Sequence, residues 1–301
     1  MWLDRYGKAE PRHKKRINSF CPVPDLHYLC RMMEGKEKLD IQHPEAWELV
    51  VSVEQRHVSY VLYAPSVPGS LAIGHVERGD DTLQGLEDAV YDTPELLNEY
   101  QRVRVLVHSR HFVLFPGETS DDDCCALVHR AFPDDDGESA VCAMPGNGLK
   151  IAWLQPRGMQ AFLGRTFSYP QVIHHLVPMC EYFKEQAHGT DLSRMFLYFT
   201  PEDMDLAIYR GGLLQCVNTY SVTNAHDAAY FTLNAWRAHG MDQLTDELQL
   251  LGDEHQRAAV TPELREYIKY VMPAVFPAAA MRLGRNALQA PLDLILLALC
   301  E

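Results

Sequence analysis

The 301-residue chain has none of the compact motifs that announce a chemistry. It contains no Gly-x-Ser-x-Gly, no His-Glu-x-x-His or His-x-x-x-His, and no Cys-x-x-Cys among its eight cysteines. These absences argue against a strand-turn-helix serine nucleophile, a helical zinc site and a paired-thiol redox or zinc site. No secretory hydrophobic segment follows Met1, and no apolar run is long enough to span a bilayer. The apolar end, 292–300, is short, has Pro291 and Asp293 at its start, and reads as a buried terminal strand or helix.

Positive charge is scarce as well. Lys and Arg number 27 against 41 Asp and Glu, a formal net charge of −14. Six basic residues (Arg5, Lys8, Arg12, Lys14, Lys15, Arg16) fall in the first sixteen positions with Asp4 and Glu10, so residues 17–301 keep 21 basic against 39 acidic, or −18. A body that acidic repels a phosphate backbone, which argues against nucleic acid as a general partner. With no secretory segment and no thiol pair, reduced cysteines in a cytoplasmic protein are expected. Cys142 and Cys216 sit in apolar runs and are expected in the core. Cys124 and Cys125 lie in a helix expected over 123–132, where neighbours point to different faces and cannot share one metal.

What is present is a pattern. Residues 1–46 show no steady period and carry the basic run, then Cys21-Pro22-Val23-Pro24. They read as a disordered extension, as a basic arm for acidic lipid or nucleic acid, or as a mis-called start upstream of Met32 or Met33. From Glu48, strands are expected at 48–53, 58–64 and 70–76, a helix at 82–90 that Asp80-Asp81 leads into, more helix at 96–101 past Thr93-Pro94-Glu95, a strand at 103–108 and another at 111–115. A second series repeats the order: strands at 195–200, 204–210 and 213–221, a helix at 225–239, a strand at 247–251 and a helix opening near Thr261-Pro262-Glu263. Gly211-Gly212 supplies the two positive-φ residues of a tight hairpin. Between the series, 140–144 and 149–154 form a strand pair about Pro145-Gly146-Asn147-Gly148. Helices follow near 158–163 and over 172–186, the latter with Val172, Leu176, Met179 and Phe183 on one face.

Other clusters take plain readings. His174-His175 is read as a helix-surface pair with one ring half buried, because adjacent helical residues cannot both face one ion. Asp121-Asp122-Asp123 sits where a helix N-terminus favours carboxylates, and Asp134-Asp135-Asp136 is a polar loop without calcium-loop spacing. No set of metal ligands and no catalytic residue is assigned.

Three antiparallel strands, a helix and a strand, given twice and followed in the second copy by another helix, resemble the repeated halves of an actin-like ATPase. The chain resembles a bacterial family known only as a domain of unknown function, whose members look like pilus-assembly actin-like proteins. The resemblance rests on Leu49-Val50-Val51-Ser52-Val53, Val58-Ser59-Tyr60-Val61-Leu62-Tyr63, His111-Phe112-Val113-Leu114-Phe115-Pro116, Gly211-Gly212-Leu213-Leu214-Gln215-Cys216-Val217-Asn218-Thr219-Tyr220, Asp227-Ala228-Ala229-Tyr230-Phe231 and Leu250-Leu251-Gly252-Asp253. It implies an α/β, ribonuclease H-like fold of two related domains, each a mixed sheet with packed helices. The first is expected at 47–189 with a middle insertion and the second at 190–276, with 277–301 packing back on the body.

The resemblance also says where a nucleotide would sit. Active members hold phosphate with an Asp-x-Gly turn, a second Asp-x-Gly-x-x-x-Thr turn, and a Gly-Gly adenosine loop. Here the first turn is Glu54-Gln55-Arg56-His57, without Gly. The second is Thr200-Pro201-Glu202-Asp203-Met204-Asp205, where carboxylates and a proline replace amide donors. Only Gly252-Asp253 remains of the third. Glu202, Asp203 and Asp205 are therefore expected in a solvated hairpin turn. The expectation is a pseudo-ATPase adaptor for a protein or peptide partner, with no cofactor, since pilus-assembly relatives hold a partner's peptide in such a cleft. The alternative is a Mg-nucleotide switch using Glu54, Asp203, Asp205, Gly252 and Asp253. An adaptor calls for an apolar groove; a switch calls for amide donors and a free positive group near the phosphates.

Overall fold

A computed structural model of the chain describes residues 41, 43–189 and 192–300. The extension expected over 1–46 lies outside the described residues apart from 41 and 43–46, of which Pro44–Ala46 form a single 3-10 turn.

The first series folds as a five-stranded sheet. Strands β1 (Glu48–Val53), β2 (His57–Tyr63) and β3 (Ala72–Glu77) form an antiparallel meander, and β4 (Arg102–Val107) and β8 (Gln171–His174) add in parallel on the far side of β1. The order is β3-β2-β1-β4-β8. β1 is buried along its whole length, as its apolar composition demands of a strand covered on both faces. Helix α1 (Leu83–Tyr91) starts one residue later than expected, because Thr82 Oγ1 accepts the Gly85 amide and caps it, and Pro94–Leu97 make a 3-10 turn in place of more helix.

The second series builds the same arrangement. Strands β9 (Ser193–Phe199), β10 (Asp203–Arg210) and β11 (Leu213–Ser221) are antiparallel, β12 (Glu247–Gly252) and β13 (Tyr270–Pro273) are parallel additions, and the order is β11-β10-β9-β12-β13. Gly211 and Gly212 turn the β10–β11 hairpin with φ of 57° and 76°. Helices α5 (Ala225–Ala238) and α6 (Glu254–Arg265) cover one face of this sheet, with Trp236, Val260 and Leu264 against Met195, Leu197 and Leu206.

The insertion after β4 is a three-stranded antiparallel sheet, β5-β7-β6, of β5 (Phe112–Pro116), β6 (Glu138–Met144) and β7 (Leu149–Gln155). Helix α2 (Asp121–Ala131) packs Cys124 and Val128 on it, and α3 (Met159–Thr166) follows. Cys125 faces elsewhere and is half-buried; Cys142 and Cys216, expected in the core, are half-buried too.

Two further helices, α4 (Leu176–Ala187) and α7 (Leu292–Leu299), pack on each other, α4 against β9 and β10 and α7 against β1 and β2. Phe183 of α4, Leu292 and Leu296 of α7, and Phe196 and Tyr209 of the second sheet share one core. Gln42–Glu301 form one compact unit.

Two helix expectations are corrected. Residues 171–174 are not helical: Val172 and Ile173 pair with Val105 and Leu106 as the fifth strand of the first sheet. Helix α4 starts after them, which leaves Pro178 in its first turn, where a missing amide costs no hydrogen bond. Helix α6 starts at Glu254 rather than near Thr261, because the Asp253 side chain accepts the Gln256 amide and caps it there, and the helix runs on through Pro262.

Candidate functional site

The first turns of the two meanders meet. The β1–β2 turn carries Glu54, Gln55 and Arg56, and the β9–β10 turn carries Thr200, Pro201 and Glu202. Between them and the segment before α7 lies a cavity of about 490 Å³. Glu54, His57 and His75 line it from the first sheet, Thr200, Gly252 and Asp253 from the second, and Phe276, Leu288, Pro291 and Leu292 give it an apolar wall. A second cavity of about 600 Å³ opens toward the inserted sheet and shares Glu54 and His108 with the first.

The turns hold each other. Arg56 Nε lies 3.1 Å from Glu202 Oε1, and Arg110 reaches Asp203 Oδ1 through Nε at 2.7 Å and Gln55 Oε1 through Nη2 at 3.2 Å. Their amides are also engaged. Glu54 N–H donates to His57 O, Thr200 N–H to Asp203 O, Asp203 N–H to Thr200 Oγ1 and Asp253 N–H to Phe199 O. Buried Arg78 braces the first turn through the Glu54 carbonyl at 2.5 Å and the Thr82 carbonyl at 2.8 Å.

Below the turns lies a seam of buried charge. His108 Nε2 is 2.9 Å from Asp293 Oδ2 and 2.9 Å from Ser52 Oγ, and Tyr198 OH donates to Asp293 Oδ1 at 3.2 Å. His175 Nε2 is 3.0 Å from Asp205 Oδ2, whose other oxygen accepts Thr219 Oγ1–H at 2.6 Å. Burial disfavours the His108 cation, but the hydrogen bond and charge of Asp293, with Glu54 and Asp205, push its pKa up to about 9. Burial likewise opposes the Asp293 anion, yet His108 holds that carboxyl below its ordinary value. Burial drives Glu54 upward, against the pull of His108, and drives Asp203 upward against Arg110.

Ser52, His108 and Asp293 are not a nucleophilic triad. A triad needs the imidazole between hydroxyl and carboxylate, one on each ring nitrogen. Here Ser52 and Asp293 share Nε2, and Ser52 Oγ also donates to Asp293 Oδ2 at 3.2 Å. Among the described residues no group of three or more His, Cys, Asp or Glu is arranged to hold a metal ion, and no helix is long and apolar enough to cross a membrane.

Residues 36–271 match the family described as "Protein of unknown function (DUF3822)". The chain belongs to that family. Its fold is that of the actin-like ATPases. A Bacteroides thetaiotaomicron VPI-5482 protein with an actin-like ATPase fold and unknown function is similar at a TM-score of 0.72 and 19% identity, over 84% of this chain and 98% of that one. The PilM–PilN type IV pilus biogenesis complex is similar at a TM-score of 0.54 and 12% identity, over 86% of this chain and 100% of that one. No curated protein matches the chain in sequence.

Of the five residues singled out for a nucleotide, Glu54, Gly252 and Asp253 line the first cavity. Asp203 and Asp205 do not, and the solvated turn expected for them is corrected: both are buried, on Arg110 and His175. Glu202 is half-buried on Arg56. The surface pair His174-His175 is corrected as well. Both rings are fully buried, His174 Nε2 lies 3.1 Å from Ser109 O, and burial with the neighbouring His175 holds the His174 pKa well below its ordinary value. The sequence assigns no role to His108, Arg110 or Asp293: the first two lie in the polar stretch His108-Ser109-Arg110-His111 after an apolar strand, and Asp293 only marks the start of the apolar end.

Proposed function

We propose that this protein is a non-catalytic member of the actin-like fold, a cytoplasmic adaptor whose cleft takes a segment of another protein in place of a nucleotide. The observation that carries the reading is the pair of links between the turns, Arg56 to Glu202 directly and Gln55 to Asp203 through Arg110. A nucleotide's phosphates would have to lie between those turns, and four of the local amides already have acceptors. Arg110 is neutralised by Asp203, Arg257 at the cavity lining spends its Nε on the Gly252 carbonyl, and Asp205 is committed to His175. The residues present therefore do not fit a Mg-nucleotide.

Two further observations support an adaptor. The cavity has an apolar wall at Phe276, Leu288 and Leu292, as a protein segment requires. PilM, of the same fold, occurs in a complex with PilN. Six described cysteines are free thiols, in keeping with the cytoplasm.

The test is the thermal midpoint of the full chain with and without millimolar Mg-ATP or Mg-ADP. A ligand of the native state adds about 2.7 kcal/mol at a hundredfold excess over Kd, so even weak binding registers. No shift is expected. An upward shift that disappears in Asp205→Asn overturns the reading in favour of a nucleotide switch.

A further inference from the structure

Three carboxylates line the cleft cavity, and two of them are occupied. Asp293 is held by His108, Ser52 and Tyr198, and Asp253 accepts the Gln256 amide at the start of α6. The Glu54 side chain accepts no hydrogen bond from any described residue, although it stands at the floor common to both cavities.

The positive groups nearby leave that carboxylate uncompensated. His108 is engaged with Asp293. His75 is held neutral by burial and by the adjacent His57, and its Nδ1 lies 3.1 Å from Ser59 Oγ. Arg257 stands at the rim, where its Nε donates to Gly252 O at 3.0 Å. Toward the open side runs the apolar wall, ending in Leu288, which is 57% exposed. An apolar wall leading down to a bare carboxylate is complementary to a cationic head on an aliphatic stem. The volume, about 490 Å³, falls within the ~300–1,000 Å³ of ligand-binding pockets.

We propose that the cleft binds the side chain of an arginine or lysine presented by an extended segment of a partner protein, with its charged head on Glu54 and its stem along Leu288, Phe276 and Leu292. The proposal rests on the adaptor reading and adds the chemistry of the partner. Charge complementarity argues for it twice: the local site is anionic, and the chain's net charge of −14 draws basic segments toward it. The groups facing Glu54 are His108, His57 and His175, which favour its ionised form, and Asp293, which opposes it; burial outweighs them and raises its pKa. A bound cation favours the anion, so binding releases a proton and tightens as pH rises through the Glu54 pKa.

The experiment is calorimetric titration of the full chain with the blocked tripeptides Ac-Leu-Arg-Leu-NH2 and Ac-Leu-Gln-Leu-NH2, and with methylguanidinium as a bare cation. The arginine peptide is expected to bind, more weakly as the solution is acidified, and the glutamine peptide not to bind. Glu54→Gln is expected to weaken binding by roughly tenfold or more and to abolish its pH dependence. Leu288→Ser, at an exposed position and so safe for folding, is expected to weaken binding and keep the pH dependence. Failure of both the arginine peptide and its lysine counterpart, or equal binding by Glu54→Gln, overturns the proposal. Methylguanidinium binding as tightly as the peptide overturns the partner segment. The nucleotide midpoint test judges the adaptor reading separately: with nucleotides and tripeptides both silent, only the present inference falls.

Discussion

His108 and His175 lie face to face, their ring centroids 4.0 Å apart and their planes 8° from parallel. The backbone produces this contact. Val107 and His174 are register partners on adjacent parallel strands, β4 and β8, so the residues that follow them leave the sheet side by side. Each ring then meets a carboxylate from beyond the first sheet, Asp293 at the start of α7 and Asp205 on β10. The two sheets are thus joined at the cleft floor by charge in a buried setting.

Removing one member of that seam is costly. Asp293→Asn leaves His108 without its anion in a site built around it, and loss of one partner of a buried pair costs about 3 kcal/mol. Urea unfolding of the full chain is expected to show a lower midpoint with an unchanged m-value.

The same pair sets a pH profile. The His108 pKa is raised from 6.5 to about 9 in the folded chain, so its contribution is whole below pH 6.5, declines as pH rises from there, and is lost above pH 9. The Asp293 pKa is lowered from 3.8, so that contribution holds above pH 3.8 and is lost as pH falls through the folded value. Urea midpoints measured across this range should fall on the alkaline side, and Asp293→Asn should flatten that fall.

The sequence made the fold legible where local signals agreed: alternating runs, Gly211-Gly212 and the repeated order of elements. It misled where a strand and a helix adjoin without a turn. The run at 171–187 has helical apolar spacing throughout, and only Pro178 hinted that the helix starts at Leu176. The site was less legible, because its chemistry depends on residues far apart in the chain. Asp293 lies 185 positions from His108 and Arg110 lies 93 from Asp203, and no spacing rule joins them. The acidic turn looked solvated because its counter-charges come from other elements.

Gly252 offers a test of backbone geometry at the cleft. Its φ is +82°, and a Cβ there would stand 2.0 Å from Phe199 O and 2.7 Å from Phe199 N, on the strand it pairs with. Gly252→Ala is expected to lower stability by at least about 2 kcal/mol. Gly212 has φ +76° with nothing within 4 Å of its Cβ position, so Gly212→Ala carries the conformational cost alone, about 1 kcal/mol. Thermal midpoints of the two variants should separate in that order; equal midpoints would mean that β12 can move away from β9.

Arg104 ties the end of the chain to the first sheet. Its Nη1 donates to the carbonyls of Leu297 at 2.5 Å and Cys300 at 2.7 Å, satisfying acceptors at the C-terminus of α7, and its Nη2 meets Glu48 Oε2 at 3.1 Å and Tyr63 OH at 2.6 Å. Both charges are buried, so Arg104→Met leaves Glu48 with only the Tyr63 hydroxyl and the more exposed Arg102, 3.8 Å away, and frees the helix end as well, at about 3 kcal/mol. Adding Glu48→Gln removes the weakly compensated charge but does not restore the lost cap, and is expected to recover part of that loss. Hydrogen exchange separates the two effects. Amides of α7 should exchange faster in both variants, because neither restores the acceptor contacts, whereas protection of β1 should return in the double variant, which no longer buries a carboxylate that has lost its buried cation.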